Sequence, residues 1–153
     1  MSYRENNFGD DLKIGHIYEK KVLEMVREQY PEAYIVKGYC KQGDIYIPPP
    51  VDSWVEVKSD QKSKYTGNLV IEIEFNGKPS ALSTTKSYRW VFYTGQEYII
   101  TSPERIRKVV KDMRPAKFTG KGDTKSKLAY LVKKKLIMDS AILVVKSPSE
   151  GAD

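Results

Sequence analysis

Apolar residues recur every three or four positions at Ile14, Tyr18, Val22, Met25 and Val26. That spacing predicts a helix from about Leu12 to Tyr30, ended by Pro31. The pattern then changes to short runs of β-branched and aromatic residues. "AYIVKGYC" from Ala33, "GDIYI" from Gly43 to Ile47 and "WVEVK" from Trp54 to Lys58 predict three strands. Pro48, Pro49 and Pro50 make a stiff turn between the second and third. "NLVIEIEF", Asn68 to Phe75, alternates cleanly and predicts a fourth strand. A turn over Asn76–Pro79, a short crossover helix in "SALSTT", and strands at Trp90–Tyr93 and Gln96–Ile100 follow.

Ser102-Pro103-Glu104 has the chemistry of a helix start, and the helix is expected to run to about Met113. Arg114 to Lys127 reads as a Gly/Lys/Thr loop, "LAYLV" as a strand and "KKKLIMDSAILVV" as a final helix. The order of elements predicts an α/β domain, a central mixed β-sheet flanked by α-helices. Residues 1–11 are expected to form a flexible tail, 12–146 one domain and 147–153 a disordered tail.

Composition narrows the class. Cys40 is the one cysteine, which excludes an internal disulfide and a multi-cysteine zinc site. No apolar run is long enough for a membrane span, and the polar start "MSYRENNFGDD" lacks a secretory signal core. A cytoplasmic protein without membrane contact is the expectation.

The net charge of +6 is unevenly spread. Arg105 to Lys135 holds twelve Lys/Arg against Asp112 and Asp123, and the remainder is slightly acidic. A basic segment on an acidic body predicts a polyanionic partner, most simply nucleic acid.

The chemistry-bearing residues lie near "WVEVK". Side chains alternate along a strand, so Glu56 and Lys58 share one face, with Val55 and Val57 on the other. If the second and third strands form a hairpin, Asp44 approaches Glu56. Two such carboxylates repel unless a cation lies between them. Mg²⁺ suits the position, because it takes oxygen ligands and often needs only one or two carboxylates. The backbone carbonyl of Val57 would add a ligand. Lys58 would orient water or stabilise charge on a phosphate oxygen. Glu19, on the first helix, could reach the metal from above. Asp52 lies nearer Glu56 and is the alternative metal aspartate, but it falls in the turn. The competing reading of these residues is a surface ion pair on a solvated sheet face.

A helix with Glu19, then Gly43-Asp44, then Glu56-Val57-Lys58, resembles the core of the PD-(D/E)XK, restriction-endonuclease-like nuclease superfamily. The similarity is to small phage endonucleases and archaeal-type Holliday junction resolvases, and it covers about residues 12–93. It implies a Mg²⁺- or Mn²⁺-dependent endonuclease acting on the phosphodiester bonds of double-stranded or branched DNA. Asp44, Glu56, Val57 and Glu19 would hold the metal, and Lys58 would be catalytic. It further implies a homodimer and a phage gene expressed in a bacterial host. Two features depart from the pattern: Gly43 stands where a proline precedes the motif aspartate, and Pro48, Pro49 and Pro50 between Asp44 and Glu56 are unusual and would splay the hairpin; in the phage-type segment downstream, Ala81 stands where a glycine is usual.

Glu72 and Glu74 share a face of the fourth strand and would extend the metal site if that strand paired with the third. Ser80, Thr84, Thr85 and Lys86 occupy a stretch similar to one in phage-type nucleases, where Thr85 and Lys86 would contact phosphate. Lys117, Lys121, Lys125 and Lys127 would contact the DNA backbone without reading sequence. His16 is a weak candidate for a general base. The rings of Tyr88, Trp90 and Tyr93 are expected in the core rather than stacked on bases. The alternative from another class is a non-catalytic DNA-binding protein on the same fold.

Overall fold

In the computed structural model, residues 17–36, 43–119 and 125–148 are described. Helix α1 covers residues 17–27. It is followed by β1 (Tyr34–Ile35), β2 (Ile45–Ile47), β3 (Ser53–Ser59), α2 (Ser63–Thr66), β4 (Asn68–Phe75) and β5 (Lys78–Pro79). A 3₁₀ turn (Ala81–Ser83) leads to β6 (Arg89–Tyr93), β7 (Glu97–Thr101), α3 (Pro103–Val110), β8 (Ala116–Thr119), β9 (Ser126–Lys133), α4 (Lys134–Asp139) and β10 (Leu143–Lys146).

The strands form two sheets, which makes the chain an α/β protein with more strand than helix. The six-stranded sheet has the order β1-β2-β3-β6-β7-β10 and the four-stranded sheet the order β5-β4-β9-β8. Within the larger sheet only β3 and β6 run parallel; β1, β2 and β3 form an antiparallel meander. The connection from β3 to β6 leaves the larger sheet, contributes β4 and β5 to the smaller one, and returns.

Two cores explain the layering. α1 packs Val22 and Leu23 on Ile45, Ile47, Val55, Val57, Val91 and Tyr93, on one face of the larger sheet. On the other face Trp90, Phe92 and Ile99 meet Leu69 and Ile71 of β4, Val132 of β9, Ile106 and Val110 of α3, and Ile137 of α4. β6 is apolar at every position from Trp90 to Tyr93 because both of its faces are covered. Each fully buried side chain of this kind stabilises by roughly 1.5–3 kcal/mol. The start of α3 follows its sequence signal: the Ser102 hydroxyl accepts from the Arg105 N–H, and Pro103 opens the helix.

Several expectations need correction. β4 pairs with β9 and β5, not with β3, because Leu69 and Ile71 are needed to cover the second face of the larger sheet. The expected single sheet flanked by helices therefore has a second sheet on one side. The Gly/Lys loop contains β8, which pairs with β9. The expected final helix stops at Asp139, and Leu143–Lys146 becomes β10, antiparallel to β7. Ser147, expected in the disordered tail, donates its N–H to the Gln96 carbonyl. The expected N-terminal tail, His16, Cys40, Lys121 and most of the C-terminal tail lie outside the described residues. Among the described residues no helix is long and apolar enough to cross a membrane.

Candidate active site

Strands β2 and β3 form the expected hairpin across Pro48–Pro50, with Ile45 opposite Val55 and Tyr46 opposite Trp54. One step further along that register, Asp44 lies opposite Glu56. Asp44 is tied to β3 twice. Its N–H donates to the Val55 carbonyl at 3.0 Å, and its Oδ2 accepts from the Val57 N–H at 2.7 Å. Its carbonyl in turn accepts from the Val36 N–H. The side chain thus takes over from the backbone where β2 ends. The N–H and C=O of one strand residue point to the same side, so the Val57 carbonyl also opens toward Asp44.

Gly43 is required by this approach. A Cβ there would meet Ser87 Oγ at 2.6 Å, Trp54 Cβ at 2.9 Å and the Val55 carbonyl oxygen at 3.2 Å. A larger side chain, proline included, would clash with these groups.

Glu56 and Lys58 share a face, as their spacing predicts. Their charged groups are 3.7 Å apart, and the Glu56 side chain is 19% exposed against 41% for Lys58. Burial pushes the Glu56 carboxyl up to about 7; the negative charge of Asp44 adds to the rise, and Lys58 offsets part of it. Lys58 Nζ lies 5.5 Å from the centroid of the Trp90 ring. The Trp90 indole N–H donates to Thr85 Oγ1 at 3.0 Å, and the Ser87 N–H donates to the same oxygen. Thr85 therefore positions the ring beneath Lys58.

Tyr18 connects α1 to this region. Its ring stacks on Tyr93 at 5.3 Å. Burial raises its phenol, the charges of Glu19 and Asp44 raise it further, and a hydrogen bond with Ser59 opposes them. Among the described residues no three acidic, histidine or cysteine side chains come together as a metal cluster. The carboxylates brought together are Asp44 and Glu56, without Glu19 as a third.

The other candidates lie elsewhere. The Asp52 carboxylate is hydrogen-bonded to the Tyr46 hydroxyl in an exposed turn. Glu72 accepts from Ser80 Oγ at 2.7 Å and lies 3.7 Å from Lys127, in the smaller sheet. Glu74 is in that sheet too, opposite Pro79 and Leu128. Lys117, Lys125 and Lys127 belong to β8, β9 and their connection, away from the carboxylate pair, and Lys86 is exposed. Two arginines of the basic segment are structural: Arg105 donates to the Ser140 carbonyl and Arg107 to that of Leu82.

Tyr18 was not recognisable as a site residue from the chain alone, and Trp90, expected in the core, is buried there with its ring beneath Lys58.

A hard cation fits the pair. The available donors are all oxygens: two carboxylates in contact and a strand carbonyl opening beside them. The Glu56 carboxyl is raised first by burial and further by the Asp44 charge, and a cation between the two would offset both. No family model matches the chain, and no curated protein or solved structure matches it.

Proposed function

We propose that the chain is a Mg²⁺- or Mn²⁺-dependent endonuclease that hydrolyses phosphodiester bonds in double-stranded or branched DNA, built on a restriction-endonuclease-like core. The observation that carries the reading is the Asp44–Glu56 pair with Lys58 beside it. A purely structural surface pair does not require two acids in contact and a carboxyl held near neutrality. The element order supports it: a helix, an antiparallel meander β1-β2-β3, and a returning strand, β6, parallel to β3.

Asp44, Glu56 and the Val57 carbonyl would hold the ion, and Glu19, expected as a further ligand, does not join them. Bound there, the metal would supply Lewis-acid polarisation of the phosphate and lower the pKa of water. Lys58 contributes a positive charge beside the carboxylates, where it stabilises negative charge growing on a phosphate oxygen. Trp90 beneath it and Thr85 behind the ring restrict its position. Asp44, anchored by the Val57 N–H, keeps its place as Glu56 changes protonation.

The test is incubation with supercoiled, linear, single-stranded and four-way-junction DNA in Mg²⁺, Mn²⁺ or EDTA, with Glu56→Gln and Lys58→Ala alongside. Metal-dependent cleavage lost in both variants is the expected result. Binding without cleavage under every metal condition would overturn it in favour of a non-catalytic DNA-binding protein.

A further inference from the structure

Four residues form one row across the smaller sheet. Lys78 of β5 is opposite Phe75 of β4; Phe75 is opposite Lys127 of β9; Lys127 is opposite Phe118 of β8. Directly opposed residues on neighbouring strands project to the same face. Lysine and phenylalanine thus alternate along a line crossing all four strands. The strands are about 4.8 Å apart, so the line is roughly 14 Å long and the two rings are roughly 10 Å apart.

This face is not the one used for packing. Leu69, Ile71 and Val132 turn toward the second core, while Val70 and Leu131, opposite each other, are 39% and 47% exposed. Phe75 and Phe118 are 43% and 36% exposed, and neither belongs to a buried core. Between the aromatic row and the Val70–Leu131 pair lie Ala129, fully buried beneath its neighbours, and the exposed Ala116, opposite each other. Lys133 stands opposite Asn68 at the far end, and Lys125 is exposed beside the row. Among the described residues the one acid on this face, Glu72, is held by Ser80 and pairs with Lys127 at 3.7 Å. Lys117 is out of the row, opposite Leu128.

Exposed rings separated by ammonium groups match the chemistry of an unpaired nucleic-acid strand. Bases stack on the ring faces, and the phosphates between them meet the cations. A duplex presents no free base faces. A second protein copy would bring lysine against lysine on so positive a surface. We infer that the outer face of the four-stranded sheet binds single-stranded nucleic acid through the row Lys78–Phe75–Lys127–Phe118.

This binding needs neither metal nor the carboxylate pair, so it stands apart from the cleavage reading. The test is fluorescence anisotropy in EDTA with labelled oligothymidine, labelled oligouridine and a labelled duplex of the same length. Phe75→Ala with Phe118→Ala is expected to weaken single-strand binding at least about tenfold while changing duplex binding little. Tyrosine at both positions keeps the rings and is expected to restore it. Lys78→Gln with Lys127→Gln is expected to lower the salt dependence by about the two phosphates lost. Unchanged single-strand affinity in the double alanine variant would overturn the inference. So would an equal loss on duplex, or failure of tyrosine to rescue. A dimer that the alanine variant converts to monomer in sedimentation would also overturn it, since a second copy would then cover the face.

Discussion

The Val57 N–H donates to Asp44 Oδ2 at 2.7 Å, and this bond joins the two halves of the candidate site. It holds one carboxylate against the strand that carries the other. Asp44→Asn keeps an acceptor in place and removes the charge. The expected result is a folded protein whose metal-dependent cleavage falls by at least about 100-fold, since electrostatic contributions at reacting centres are of that size. The Glu56 carboxyl, relieved of a negative neighbour, moves down toward its ordinary value, measurable by NMR titration of labelled glutamate. An unmoved Glu56 would show that the two carboxylates do not interact.

The raised Glu56 carboxyl makes a pH prediction with a definite sign. The folded protein holds this proton more tightly than the unfolded chain does. The resulting stability is fully present below about pH 4.5, the unfolded value, and is lost as pH rises through about 7. Glu56→Gln removes this dependence. Urea unfolding of both proteins across that range, without metal, checks it: the gap between them should open as pH rises, with the variant the more stable at neutrality.

Gly43→Ala inserts a Cβ less than 3 Å from Ser87 Oγ and Trp54 Cβ. Over-packing at so tight a crossing is expected to cost about 1–3 kcal/mol. It also displaces Asp44, so cleavage should fall more than thermal stability alone explains. Comparing activity well below the melting temperature with the melting shift separates the two effects.

Ala81 adopts φ 46°, in the left-handed region that glycine tolerates best. Ala81→Gly is expected to stabilise by up to about 1 kcal/mol, the strain relieved exceeding the added chain entropy. A higher melting temperature is the readout, and a lower one would mean that the Ala81 methyl packing outweighs the strain.

Lys134 and Glu97 join the start of α4 to β7 at 2.7 Å, with side chains 15% and 12% exposed. Burial pushes the Glu97 carboxyl up, but bonds from Lys134 and Thr94 and the charges of Lys134 and Lys146 prevail and leave it below its usual value. Its contribution to stability is present above the unfolded carboxylate value and is lost as pH falls through the lower folded one. Lys134→Met leaves the carboxylate without that partner. A loss of about 3 kcal/mol is expected at neutral pH, shrinking as acid protonates Glu97. Denaturant titration at neutral and acid pH measures both.

Local periodicity determined much of this protein. The faces of β3 and β4 follow from alternation within seven or eight residues, and the start of α3 from Ser102 and Pro103, because those signals act between near neighbours in the chain. The proximity of Asp44 and Glu56 was also legible, since a hairpin is a short-range pairing. Which strands pair at long range was not. β4 directly follows β3 in the chain but joins β9, some sixty residues on, because only there do Leu69 and Ile71 cover Trp90 and Phe92. "AILVV" reads as helix and becomes β10, because β7 offers an open edge. The Lys–Phe row depends on the register of four strands that are separate in sequence. Each of its members alone is an ordinary surface residue, and only the tertiary pairing puts them in line.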